Sequence, residues 1–460
     1  MSDTLFHTHL IQVAVSIVIF SYLRFRLNLS VLFSLALTSL YLPVFVLVVT
    51  GRYLFASDFL ALAPVFAVAI HWNEYVLKNR KLLPVFLLMT STLVVWPVLS
   101  TGLSVWYLGE DFIAGNLVLH IYRSICYTAF FVFFYNEVSD PALPAKAVKL
   151  FIAAWTLYAV FGVLQLLGAL DTDAFWIIRR EALDPADKYD AVSFGFLGMD
   201  KPQIALWALY GGIFSVCFFL HKKGWKSVCY LFPLLLSLII ILIINSRTAF
   251  AAMFLGMIVL FLLNYRKIAK TALLSSATIL SLFLLVSFAG GYFWELLGPE
   301  RQAVYLARNL ALVEAKDFEG LLAARDETIV PLLKYIADDE HRLSLGSGVS
   351  TDRSDLTREV SRTYAEGELF RVLWAGGIVS LAGYVALLCL LGRVRFSNWR
   401  GKTELHRING EMLFLMIVVG AISAFSQYHL FTTTQYNIPI LYLVWSYMGM
   451  LWRGGHADGA

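Results

Sequence analysis

Apolar runs of about 18 to 25 residues recur along nearly the whole chain, each long enough to cross a hydrocarbon core of about 30 Å as a helix. Short clusters of charge, proline or glycine separate them. Hydropathy, broken at those clusters, predicts spans near residues 6–23, 28–49, 54–77, 82–106, 112–135, 147–170, 202–221, 227–246, 248–264, 271–294, 366–392, 411–431 and 435–452. The fold class expected is all-α: a polytopic integral membrane protein with about 12–13 transmembrane helices and a large helical loop outside the membrane. Five stretches follow: 1–170 with the N-terminal spans, a loop at 171–201, central spans over 202–294, a large loop at 295–365, and C-terminal spans over 366–460.

Composition agrees with the pattern. Of 460 residues, 59% are hydrophobic and only 15% charged, with a mean hydropathy of +0.72, whereas a soluble domain carries about 25% charged residues. Such a chain has the lipid bilayer as its solvent, and nothing in it marks a nucleic-acid partner. The first segment lacks a basic leader and a small-residue cleavage site, so it reads as a retained helix. Cys126, Cys217, Cys229 and Cys389 all fall in apolar segments, which suits packing better than a disulfide framework or a metal site.

Lysine and arginine set the orientation. Arg24 and Arg26, KNRK (78–81), Lys146 with Lys149, KKGWK (222–226), YRKIAK (265–270), the run from Arg393 to Arg407, and Arg453 all follow odd-numbered spans. Those loops are expected in the cytoplasm, with the N-terminus outside and the C-terminus inside. The loops 171–201 and 295–365 then lie on the outer face. Leu306, Leu310 and Val313, Leu321 and Leu322, and IVPLLKYI (329–336) give the second loop a helical pattern, as of a cap on the membrane surface.

Three charged features gather on that outer side. Arg247, in INSRTAF (244–250), interrupts two apolar spans; it reads either as a boundary arginine whose head snorkels to the interface or as an anion-binding group. Lys201 and Pro202, in SFGFLGMDKPQIALWALYGG (193–212), open a helix, and an anion there would meet free backbone N–H groups and an ammonium. SRTYAEGELFRVLWAGG (361–377) places Arg362, Glu366, Glu368 and Arg371 at the mouth of an apolar helix, where ordinary intrahelical ion pairs compete with a functional role. Arginines beside a carboxylate fit glycosyl transfer from a polyprenyl diphosphate. Guanidinium forks hold the leaving diphosphate, and a carboxylate or imidazole takes the proton of the attacking hydroxyl. No cofactor is called for: no His/Asp/Glu cluster with ligand spacing stands outside the membrane.

In order along residues 190–395, GFLGMDKPQIALWAL (195–209), SRTAFAAMFLG (246–256), a loop with Arg325 and LGSGVS (345–350), and ELFRVLWAGGIVSLAGYVAL (368–387) resemble the bacterial O-antigen polymerase and O-antigen ligase superfamily. These Wzy-like membrane glycosyltransferases use undecaprenyl-diphosphate-linked glycans. The resemblance implies an inner-membrane location with the active site facing the periplasm, and diphosphate contacts from Arg247 and Arg325; the residues themselves offer Arg371 as a further contact and Lys201 as a seat for a phosphate. Many ligases have a histidine about eleven residues before the glycine that falls on Gly377, where this chain has Glu366 and Gly367. Glu366 or Glu368 is therefore the expected base. An O-antigen or surface-polysaccharide polymerase joining lipid-linked repeat units, as in lipopolysaccharide biosynthesis, is the first expectation, with an O-antigen ligase onto lipid A-core as the alternative. The lipid-linked donor and acceptor are the expected substrates, and a chain-length regulator and a flippase the expected protein partners. A third alternative, a flippase for the same lipid, would use ionisable residues within spans, of which Asp58, Arg123, His71 and Glu74 are the candidates.

Overall fold

Hydrocarbon offers a backbone no hydrogen-bond partners, so apolar runs of this length satisfy their own N–H and C=O groups by coiling. The computed structural model describes residues 14–41, 46–49, 52–55, 59–108, 114–166, 201–222, 225–243, 247–264, 336–349, 368–393, 403–423 and 438–455. Among them we number α1 (Val31–Tyr41), α2 (Leu62–Ile70), α3 (Leu82–Tyr107), α4 (Ala114–Glu137), α5 (Leu143–Leu166), α6 (Lys201–His221), α7 (Leu231–Ile243), α8 (Arg247–Leu263), α9 (Glu340–Leu345), α10 (Glu368–Gly392), α11 (Glu404–Ser423) and α12 (Ile438–Gly455). Six of these, α3, α4, α5, α6, α10 and α11, are long and apolar enough to cross a bilayer, as a multi-pass membrane protein requires. The apolar helices α1, α7 and α8 are shorter.

The expectation of helix throughout needs one correction. Residues 28–49 and 54–77 do not each form one helix: α1 stops at Tyr41, and β1 (Val46–Val49) pairs antiparallel with β2 (Arg52–Phe55) in the register Val46 to Phe55. Pro43 obstructs continuation of α1, and the β-branched run VLVV favours an extended backbone. The expected span 271–294, residues 171–200 of the first loop and all of 295–365 except 336–349 lie outside the described residues.

The core is aromatic and centres on α12. Its Tyr442, Trp445, Tyr447 and Trp452 are buried and meet Tyr127, Phe130, Phe131 and Tyr135 of α4 and Phe151 of α5. Gly449 permits this approach, since a Cβ there would stand 2.4 Å from the Phe131 carbonyl oxygen. Two polar groups of this core join helices by hydrogen bonds. Trp155 Nε1 donates to Ser237 Oγ at 2.8 Å, joining α5 to α7, and Tyr447 OH donates to the Ala147 carbonyl at 2.8 Å, joining α12 to α5.

Polar contacts show which helix ends meet. Tyr75 OH donates to Glu137 at 2.6 Å, and Asn409 Nδ2 donates to the carbonyls of Pro141 (2.9 Å) and Gly454 (3.2 Å). These tie the segment after α2 to the end of α4, and the start of α11 to the end of α12. Lys149 lies over the Phe218 ring with Lys146 and Lys222 nearby. This is the basic end of the bundle, where Lys146, Lys149 and Lys222 stand together.

Candidate site at the end opposite the lysines

Two apolar helices are interrupted at this end, and the interruptions face each other. In α10, Gly376 (φ −147°, ψ 21°) and Gly377 (φ 61°, ψ −160°) leave helical geometry. Gly377 occupies a region that only glycine enters without strain. The carbonyls of Trp374, Ala375 and Gly376 all accept hydrogen bonds from other elements: from Ser347 N–H at 2.7 Å, Ser100 Oγ at 2.8 Å and Trp96 Nε1 at 2.7 Å. A break within an apolar span thus leaves these three carbonyls satisfied.

The partner loop is LGSGVS. Asp339 caps α9, its carboxylate accepting from the N–H groups of His341 and Arg342. After α9 the chain turns through Gly346 (φ 81°, ψ 172°) and packs into the α10 break; a Cβ on Gly346 would stand 2.5 Å from the backbone nitrogens of Gly376 and Gly377. Ser100 Oγ also donates to the Leu345 carbonyl (2.5 Å), and Val349 N–H donates to Thr101 Oγ1 (3.1 Å). One turn of α3 therefore clasps both the loop and the broken helix. His341 is exposed on α9 and stacks on Tyr107 with ring centroids 5.3 Å apart.

The second interruption is in α3, where the wide turn Ser91–Val95 precedes Pro97. Pro97 has no N–H to give the Leu93 carbonyl four residues earlier. His120 of α4 supplies that bond, Nε2 to Leu93 O at 2.9 Å. A carbonyl only accepts, so this nitrogen carries a proton. Arg371 stands in the first turn of α10, before the break. Arg123, one turn further along α4, is fully buried.

The candidate residues named from sequence lie as follows. Lys201, Arg247 and Glu368 each stand at the first residue of a helix, α6, α8 and α10. The far ends of α6 and α8 meet at the basic end, where His221 and Asn264 share a partner; α10 likewise runs from the clasp toward the basic Arg393. Lys201, Arg247, Glu368 and Arg371 are therefore at one end of the bundle, the end of the clasp. Glu366 and Arg325 lie outside the described residues, as does Asp58.

No family model matches the chain, and no curated protein matches it significantly.

His120, Trp96 and Ser100 escaped the sequence reading. Pro97 in an apolar run was the available signal, since it had to free a carbonyl that something nearby would satisfy. A second polar site lies at the basic end: Glu411 Oε2 of α11 accepts from Asn264 Nδ2 at 3.1 Å and lies 2.6 Å from His221 Nε2. Both side chains of that ion pair are buried, and Cys217, one turn before His221, joins them. Among the described residues these three form the group able to hold a metal ion. The flippase candidates divide: His71 and Glu74 form an exposed pair 3.8 Å apart at the basic end, whereas Arg123 is buried in α4.

Proposed function

We propose that the protein is a membrane glycosyltransferase of the polysaccharide-polymerase type, acting on glycans linked to undecaprenyl diphosphate at the periplasmic face of a bacterial inner membrane. The observation that carries this reading is the convergence of helix starts bearing Lys201, Arg247 and Arg371 at the end of the bundle away from the lysine-rich loops. Positive groups at that end have no part in the charge rule that orients the chain, so they are available for an anion. A diphosphate is the anion that a substrate anchored in this leaflet would present.

In this mechanism the hydroxyl of an incoming lipid-linked unit attacks the anomeric carbon of the growing chain. The C–O bond to the diphosphate breaks, and the diphosphate leaves with both bonding electrons. Arg247 and Arg325 neutralise it, with Arg371 and Lys201 beside them, because guanidinium groups stay charged throughout and match phosphate oxygens in pairs. Glu366 or Glu368 takes the hydroxyl proton. If the donor linkage is α, one displacement inverts it. The clasp of α3, α10 and LGSGVS contributes rigidity: it fixes the start of α10, and with it Arg371, against the membrane helices.

The test uses the purified chain in liposomes with a single short lipid-linked repeat. A ladder of longer lipid-linked glycans is expected. Transfer of label only to added lipid A-core would assign a ligase, and movement of the lipid without new glycosidic bonds would assign a flippase.

A further inference from the structure

Cys217, His221 and Glu411 lie where a charge has no water to turn to. Cys217 and His221 are one turn apart on α6, on the face turned to α11, and Glu411 reaches them from the second turn of α11. All three are buried, and one donor atom from each, thiol sulfur, imidazole nitrogen and carboxylate oxygen, lies within 4.8 Å of the others. Their neighbours along the same helices include the buried apolar side chains Ile213, Phe214 and Phe218 of α6 and Leu415 of α11, with Lys149 over the Phe218 ring. Asn264, just past α8, donates its amide both to Glu411 Oε2 (3.1 Å) and to its own helix at the Leu260 carbonyl (3.1 Å), which fixes the carboxylate from outside.

We propose that this cluster is a structural site for a divalent transition-metal ion, with zinc the ion that its donors fit best. Thiolate, imidazole and carboxylate together are a borderline-soft set that suits zinc far better than calcium or magnesium, which take oxygen ligands. Three protein donors leave one tetrahedral position for water. Asn264 serves as the outer partner that orients a ligating carboxylate, a role such sites regularly carry.

Charge balance makes the site compatible with its burial. By formal charge, a thiol together with a single proton shared by the imidazole and the carboxylate, 2.6 Å apart, sums to zero. Binding of a dication releases those two protons and leaves thiolate, neutral imidazole, carboxylate and metal, again neutral in sum. Neither state strands a net charge among apolar side chains. The ion would join α6 to α11 directly, with α8 held through Asn264, at the end of the bundle far from the proposed chemistry. Its role is accordingly to brace three helices, and it is independent of the proposed polymerase reading.

The experiment is metal analysis of the tag-free full chain, purified in detergent without chelators, followed by cobalt titration of the chelator-stripped protein. About one zinc per chain is expected, and cobalt should give a visible spectrum with a thiolate-to-cobalt charge-transfer band. Cys217→Ser, small enough to keep the packing, should lose that band and weaken zinc binding at least tenfold. His221→Gln should lose binding altogether; its folding is checked independently by size-exclusion profile. Absence of stoichiometric zinc together with no cobalt uptake by the wild type would overturn the proposal, leaving a proton-sharing knot. So would a cobalt spectrum unchanged in Cys217→Ser, which would place the metal elsewhere.

Discussion

The two ends of this bundle place polar groups among apolar helices by opposite means. At the basic end the helices stay intact and side chains do the work: His221, Glu411 and Asn264 satisfy one another across α6, α8 and α11. At the other end the helices themselves are interrupted, at Pro97 and at Gly376–Gly377, and backbone carbonyls receive donors from neighbouring segments. The first arrangement is closed and can only hold. The second gathers backbone carbonyls, an indole and an imidazole near helix starts, and irregular backbone within an apolar span persists only where surrounding protein or a cavity supports it. Support from the protein is visible here, so the clasp braces its end as the side-chain cluster braces the other, and the proposed chemistry rests on the charged helix starts beside it.

Substitutions at the two ends should therefore differ in kind. The largest effect is expected from Glu411→Ala, which leaves a buried imidazole and amide without their acceptor; breaking a buried pair costs about 3–5 kcal/mol. Thermal unfolding in detergent should show it, and the paired change His221→Leu with Glu411→Leu should recover part of the loss. If Glu411→Ala unfolds like wild type, the basic end is not the brace.

Next comes Gly377→Ala. Its φ of 61° with ψ of −160° is hostile to any side chain, and the added Cβ would stand 2.4 Å from the Ser344 carbonyl oxygen. Strain of about 1–3 kcal/mol is expected, together with release of the 345–349 loop. Limited proteolysis of the loop should detect this, whereas the same substitution at the open Gly102 should change nothing.

Ser100→Ala removes the donor to both Leu345 and Ala375 and should cost about 1–3 kcal/mol, the ordinary penalty for buried acceptors left without partners. Denaturant unfolding would read it. Ser100→Thr, which restores the hydroxyl, should recover much of the loss.

The smallest effect is expected from pH acting on Asp140, in the turn between α4 and α5. The Ala142 N–H bonds its carboxylate and holds it below the usual carboxylate range against some desolvation, with Lys146 at 3.1 Å assisting. A group with a depressed folded value adds stability above its unfolded value, about 3.9, and loses it as pH falls through the lower folded one. Asp140→Asn should remove that small acid-range slope in a stability-against-pH profile and leave neutral-pH stability within about 1 kcal/mol.

Much of the helix order was legible because apolar runs bounded by charge admit few alternatives. Lys201–Pro202 and Arg247 mark helix starts, and the predicted spans 82–106 and 202–221 differ from α3 and α6 by a residue at one end. What escaped is where hydropathy cannot distinguish two backbones of equal polarity. The run WAGG sits in an apolar span whether the glycines continue the helix or break it, and VLVV is equally apolar as helix or strand. The clasp joins residues more than 240 positions apart, and the Cys217, His221 and Glu411 cluster joins two distant helices. No local pattern encodes either meeting. Hydropathy also began the α11 span at Glu411, whereas the helix starts at Glu404. The earlier start turns Glu411 from a boundary charge into a buried one.

The most direct test of the two-end account is the polymer ladder made in liposomes from one defined lipid-linked repeat, compared between wild type, Arg247→Ala and Asp140→Asn. The account predicts a ladder from wild type and Asp140→Asn, and loss of the ladder from folded Arg247→Ala. A full ladder from Arg247→Ala, or none from the wild type, would contradict it.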